Sequence, residues 1–152
     1  RLRIEALLGT AAIANAKLAY QTYVAWFEAE RFRHLMARGA AVQRPLWAST
    51  STKNPKYSET MYVEGLIGPD TINTLPPATL EAFAQHGIAR RTIDADLDTA
   101  RQQLADLERL GIAMEDVTDF LVADGVKRFA DSYAALLLAV DAKRAQLAAN
   151  RA

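Results

Sequence analysis

Four consecutive hydroxyls, a lysine and an amide, Ser49-Thr50-Ser51-Thr52-Lys53-Asn54, stand directly after a short apolar run, Pro45-Leu46-Trp47-Ala48. A phosphate group asks for this combination: a positive point charge, several hydroxyl or backbone donors, and a loop short enough to wrap an anion. If the backbone stays extended, alternation places Ser49, Ser51 and Lys53 on the same side of it. A serine-threonine run ahead of a turn such as Asn54-Pro55 is also the pattern of a solvated loop, so from spacing alone both readings stand.

Few other residues offer chemistry. The absence of cysteine excludes disulfides, thiol nucleophiles and cysteine metal sites, and the two histidines, His34 and His86, stand in unrelated contexts, which argues against a zinc or Ser-His-Asp centre. Lys17 lies inside the apolar run Ile13–Tyr20, where a desolvated amine could act as a nucleophile; a lysine snorkelling from one helix face is the simpler reading. Asp94, Asp96 and Asp98 alternate like metal ligands, but a cap at Asp94 with the others in a first helical turn accounts for them. His86 before Gly87 reads as a helix C-terminal residue, Arg90-Arg91 as a solvated pair and Trp47 as a core residue. Asn73 could reach a substrate from the end of a second strand.

Helices and strands must position these groups. Leu2, Ile4, Leu7 and Leu8 read as the tail of an amphipathic helix, Gly9 as its stop and Thr10 as the next N-cap. One helix is then expected from about residue 10 to just before Gly39. Pro45–Thr50 reads as a buried strand, because proline is acceptable at its first position and no polar alternation follows. Ser58 is a candidate cap for a short helix that Gly68-Pro69 ends, and Thr71–Thr74 a second short strand. Pro76-Pro77 starts a helix over 78–86 that Gly87 closes. A stripe of Leu97, Ala100, Leu104, Leu107 and Leu110 marks the next, ended by Gly111. From near Glu115 the last helix presents Val117, Phe120, Leu121, Phe129, Tyr133, Leu136, Leu137 and Val140 as a buried face, with Gly125 a possible break and a polar tail from Lys143 that frays. The order is α/β alternation in a mostly helical segment, yet two short parallel strands do not make a self-sufficient sheet.

The 152 residues amount to one domain's worth, with no second domain expected. Lysine plus arginine and aspartate plus glutamate each number 18, so the net charge is zero and no global field draws the chain to nucleic acid or an acidic membrane. The longest fully apolar run near the C-terminus, Ala134–Val140, is far short of the roughly 20 residues a membrane helix needs. No signal peptide is visible, and cytoplasmic localisation is the expectation. The opening Arg1-Leu2-Arg3-Ile4-Glu5 reads like the middle of a helix, which suggests a piece of something longer.

Three separated blocks, Ile13–Tyr20, Gln43–Ser58 and Tyr62–Thr74, together resemble the C-terminal half of transaldolase, in the subgroup found in actinobacteria and cyanobacteria and in fusions with phosphoglucose isomerase. The resemblance runs from about residue 1 to the end. It implies the C-terminal part of a (β/α)8 barrel of the class I aldolase type. Such an enzyme moves a dihydroxyacetone unit from sedoheptulose 7-phosphate to glyceraldehyde 3-phosphate in the pentose phosphate pathway, through a Schiff base on a strand lysine and with no cofactor. Under this resemblance Pro45–Thr50 matches the seventh strand, Thr71–Thr74 the eighth, and Ser51 and Lys53 the phosphate clamp; Ser49 and Asn73 are further candidate substrate contacts. Barrels often hold phosphate on the loops after strands seven and eight, so the anion reading of the residue pattern and the resemblance meet at Ser51 and Lys53.

The Schiff-base lysine and its carboxylate partners would precede residue 1, and Lys17 matches a helix of the family instead. The segment alone is therefore expected to be inactive. Its partners would be sugar phosphates and the N-terminal half of the barrel, from the same polypeptide or a second chain, with homodimerisation a further expectation for an uncovered half-barrel. Two other readings are a non-catalytic half-barrel that serves as a binding or interaction module and an all-helical interaction domain.

Overall fold

The computed structural model describes residues 2–150 and divides into two compact units, Arg1–Leu107 and Glu108–Ala152. In the first, α1 (Leu2–Leu7), α2 (Ala11–Phe27) and α3 (Glu30–Met36) precede β1 (Leu46–Trp47), α4 (Met61–Glu64), β2 (Ile72–Asn73), α5 (Pro77–His86) and most of α6 (Leu97–Arg109). The second is built on α7 (Met114–Ala149).

The strands pair in parallel, Leu46 beside Ile72 and Trp47 beside Asn73. The Ile72 N–H donates to the Pro45 carbonyl at 2.9 Å and the Thr74 N–H to the Trp47 carbonyl at 3.0 Å. The strand is shorter than the Pro45–Thr50 run suggests, because Ser49 takes φ +57 and turns the backbone out of extension. Nor is it buried throughout: Leu46 is 51% exposed, since two strands cannot cover one another's faces.

The core of this unit is a cluster of Tyr20, Leu66 and Ile93, with Ile13, Val24 and Trp47 packed against it. Ile93 is completely buried, and both its N–H and that of Thr92 donate to the Ile67 carbonyl, at 3.0 and 2.9 Å. The Thr92 hydroxyl accepts from Ile67 N–H at 3.2 Å and donates to the Glu64 carbonyl. These bonds strap the 88–93 segment over the end of α4. The Tyr20 hydroxyl reaches the Pro69 carbonyl at 3.2 Å, and burial pushes its pKa up.

Local signals placed several boundaries. Gly9 and Gly111 adopt φ +78 and +84 after α1 and α6, and Pro77 occupies the first turn of α5. The helix expected from residue 10 to Gly39 is two helices, because Ala29 is extended at ψ 146. Arg33 holds the break by donating to the Glu28 carbonyl from Nε at 3.1 Å and Nη2 at 2.8 Å, and Phe27 meets Phe32 edge to face at 4.5 Å. Thr10 is not a side-chain N-cap; its hydroxyl donates back to the Leu7 carbonyl at 2.9 Å. Thr60, not Ser58, precedes α4, with the Ser58 hydroxyl 3.1 Å from the Thr60 hydroxyl. Asp94 does not cap α6: its carboxylate takes the Arg91 guanidinium, and the helix starts two residues beyond Ala95.

α7 runs unbroken through Gly125 and stays helical to Ala149, so neither the break nor the frayed tail from Lys143 is observed. Its apolar positions are not a buried face, with Phe120 at 68% and Phe129 at 82% exposure. A lone helix has no second layer in its own unit against which to bury a stripe. No described helix is long and apolar enough to cross a membrane, and among the described residues no three His, Asp or Glu side chains gather as metal ligands, which disposes of the Asp94-Asp96-Asp98 alternation.

Candidate functional site

Where β1 ends, the chain turns at Ser49 and directs its hydroxyl-bearing residues two ways. Thr50 is driven inward: it is 4% exposed, its hydroxyl donates to Asn73 Oδ1 at 2.7 Å, and the Thr74 carbonyl lies 3.4 Å away. A buried hydroxyl needs such partners, and the neighbouring strand end supplies them. Ser51 and Lys53 turn outward, and the Lys53 ammonium donates to Ser51 Oγ at 2.6 Å. An anion at this spot would meet the ammonium and the hydroxyl side by side.

Three further bonds close the loop on itself. The Thr52 hydroxyl donates to the Ser58 carbonyl at 2.8 Å, the Lys56 N–H to Asn54 Oδ1 at 3.0 Å, and the Tyr57 N–H to the Asn54 carbonyl at 3.1 Å. The Asn54 amide oxygen thus shapes the turn.

A cleft of about 520 Å³ opens beside this loop. Ser49, Ser51 and Lys53 all line it, as alternation suggested, although the backbone reaches that outcome through a left-handed residue and not by extension. Asn73 does not line the cleft; its side-chain oxygen is engaged by Thr50. Sequence reasoning missed Ala12 and Ala16 of α2, which form part of the wall, and Tyr57 and Tyr62, which flank it. The alanines carry a readable signal, since small residues four apart leave one helix face shallow. The tyrosines carry none, because their loop and helix meet the cleft only once the chain is folded. Trp47 also lines it and packs against the core cluster, as expected, with its buried Nε1 lacking a partner among the described residues.

Lys17 stands elsewhere. It is buried, 9% exposed, and does not snorkel: Nζ donates to the Ala95 carbonyl at 2.8 Å. It borders a second, more polar cleft of about 560 Å³ with Glu64, Arg91 and Asp96. There the Arg91 guanidinium, hydrogen-bonded to Asp94, holds that carboxyl below its usual range. The expected solvated Arg90-Arg91 pair is thus half engaged, whereas His86 sits in the last turn of α5 as anticipated.

Comparison with known proteins gives the family of the chain. A family model described as Transaldolase/Fructose-6-phosphate aldolase matches residues 3–140. The chain is 52% identical over 136 residues to a protein named Transaldolase from Parafrankia sp. (strain EAN1pec), covering 89% of this chain and 37% of that protein. It is 47% identical over 147 residues to Transaldolase of Mycolicibacterium smegmatis, covering 96% and 39%, and 42% identical over 143 residues to Transaldolase 2 of Nostoc punctiforme, covering 93% and 38%. The chain therefore spans less than two fifths of the length of these actinobacterial and cyanobacterial relatives. With a family match over most of its residues, the chain belongs to the transaldolase/fructose-6-phosphate aldolase family, whose domain is an aldolase (β/α)8 barrel.

Proposed function

We propose that this chain is the C-terminal part of a transaldolase barrel, with β1 and β2 as its seventh and eighth strands, and that it supplies the grip on the substrate phosphate. One observation carries the reading: the Lys53 ammonium stands 2.6 Å from the Ser51 hydroxyl, on the wall of the cleft that opens past the end of β1. Barrel enzymes hold phosphate at that end, and an ammonium with a hydroxyl beside it is suited to a phosphate dianion. Ser49 adds to the wall of the substrate site, and Asn73 supports it from behind by holding the Thr50 hydroxyl.

The reaction is transfer of a dihydroxyacetone unit from sedoheptulose 7-phosphate to glyceraldehyde 3-phosphate in the pentose phosphate pathway. The phosphate lies far from the reacting carbonyl, so its binding energy orients the ketose and does not enter bond making. The carbonyl condenses with a lysine amine supplied by the remainder of the barrel, in the same polypeptide or a second chain. Lys17 does not qualify, because its amine is held by the Ala95 carbonyl and borders the other, more polar cleft. The free edge of β1 is where further barrel strands pair. Alone, this segment binds sugar phosphate and does not turn it over; the complete enzyme works in the cytoplasm without a cofactor.

The test is Lys53→Ala in the complete barrel. Loss of a charge-assisted bond to phosphate corresponds to about 1.5–3 kcal/mol, or roughly a 10- to 150-fold rise in KM for phosphorylated substrates. An unchanged KM removes Lys53 from the clamp.

A further inference from the structure

The loop that carries Ser51 and Lys53 is bonded mainly to itself. Among the described residues, the side-chain hydrogen bonds of Ser51, Thr52, Lys53 and Asn54 all run to partners between residues 51 and 58. A segment closed in this way moves as a body, so its position in the cleft is set by what holds it from outside. Thr50 anchors the near end through Asn73. At the far end the contact is Tyr57 against Gly9. A methyl group placed on Gly9 would stand 3.0 Å from Cε2 and Cζ of Tyr57 and 3.3 Å from its hydroxyl oxygen, so the outer edge of the ring rests on the glycine backbone. Gly9 has φ +78 in the turn between α1 and α2, a conformation in which glycine is the residue without steric cost. The same ring lines the cleft together with Ser51 and Lys53.

We infer that Tyr57, seated on Gly9, is a positioning residue that sets the height of the Ser51–Lys53 loop and thereby tunes affinity for phosphorylated over unphosphorylated ketose. This rests on the phosphate-clamp reading above. Tyr57 acts through ring packing and touches no reacting atom. Removing the ring lets the closed loop shift without unfolding it, and a displacement of about 1 Å is enough to weaken a directional grip severely.

The experiment compares D-fructose 6-phosphate with D-fructose as donors for the complete barrel enzyme. Tyr57→Ala is expected to raise KM for the phosphorylated ketose about tenfold while leaving kcat/KM for free fructose within about twofold, the signature of lost positioning at the phosphate alone. Tyr57→Phe keeps the ring edge and retains the parent values. Gly9→Ala pushes the ring from the other side and answers the same question if Tyr57→Ala proves insoluble, with the same selective rise in KM expected. The inference is overturned if Tyr57→Ala and Gly9→Ala leave KM for fructose 6-phosphate unchanged, or if both ketoses suffer equally, as a general loss of structure would produce. Lys53→Ala run in parallel separates the two levels. If it abolishes the preference for phosphate and Tyr57→Ala does not, the positioning role falls and the clamp stands; if Lys53→Ala changes nothing, both fall.

Discussion

The Thr50 hydroxyl donates to Asn73 Oδ1 at 2.7 Å, joining the segment just past β1 to the end of β2 across 23 positions of sequence. Thr50 immediately precedes Ser51, so this bond holds the near end of the loop that carries Ser51 and Lys53. Replacing Thr50 by valine keeps the shape, removes the donor and leaves the Asn73 oxygen to find another. A loss of about 1–2 kcal/mol in unfolding free energy is expected, read from urea denaturation midpoints at unchanged m-value.

Gly68 approaches Ile93 so closely that a methyl group there would collide with Ile93 Cγ2 and stand 2.9 Å from its Cβ. Because Ile93 is completely buried, the isoleucine has nowhere to retreat. Gly68→Ala is expected to destabilise the chain by about 1–3 kcal/mol through overpacking. Ile93→Ala empties the space next to it, so the double variant should be less unstable than the sum of the two single losses. Strict additivity would show that the clash is relieved by backbone movement.

Lys17 to methionine preserves the aliphatic stem and deletes the amine that donates to the Ala95 carbonyl at 2.8 Å. The expected cost is about 1–3 kcal/mol, because the carbonyl is left without its partner. In the complete barrel, borohydride with a ketose phosphate should trap the substrate on Lys17→Met as readily as on the parent. Loss of trapping would move the Schiff base to Lys17.

The Arg91–Asp94 pair predicts the sign of one pH effect. Hydrogen bonding to the Arg91 guanidinium holds the Asp94 carboxyl below its usual range, so the unfolded chain takes up this proton at higher pH than the folded one. The pair's contribution is present above the unfolded value, near pH ~4, and is lost as pH falls below it. Asp94→Asn is expected to be slightly less stable than the parent near neutrality, the difference vanishing in acid; the effect is small because both side chains are partly exposed. Thermal melts of the two proteins across the acid range give the measurement.

Gly125 lies within α7 with nothing inside 4 Å of where a Cβ would stand. Gly125→Ala should therefore raise helix stability by up to about 1 kcal/mol, through propensity and a less flexible unfolded chain. Circular dichroism against temperature would show it as a higher melting point.

By itself the sequence determined whatever rests on neighbours along the chain. The glycines at 9 and 111, the proline at 77 and the apolar spacing of α2, α5 and α6 placed the helices, since a cap or stripe is written within a few residues. The Ser49–Asn54 constellation and its family resemblance were legible for the same reason: type and spacing are local. Tertiary structure decided where those groups point. It turned Thr50 inward to Asn73, set Lys17 on the Ala95 carbonyl 78 positions away, broke the long helix at Ala29 and rested Tyr57 on Gly9. It also left the apolar side of α7 exposed, where the stripe alone had implied burial. Such outcomes depend on partners brought together only by closing long loops, and no periodicity in the chain records which carbonyl, glycine or layer a side chain will meet.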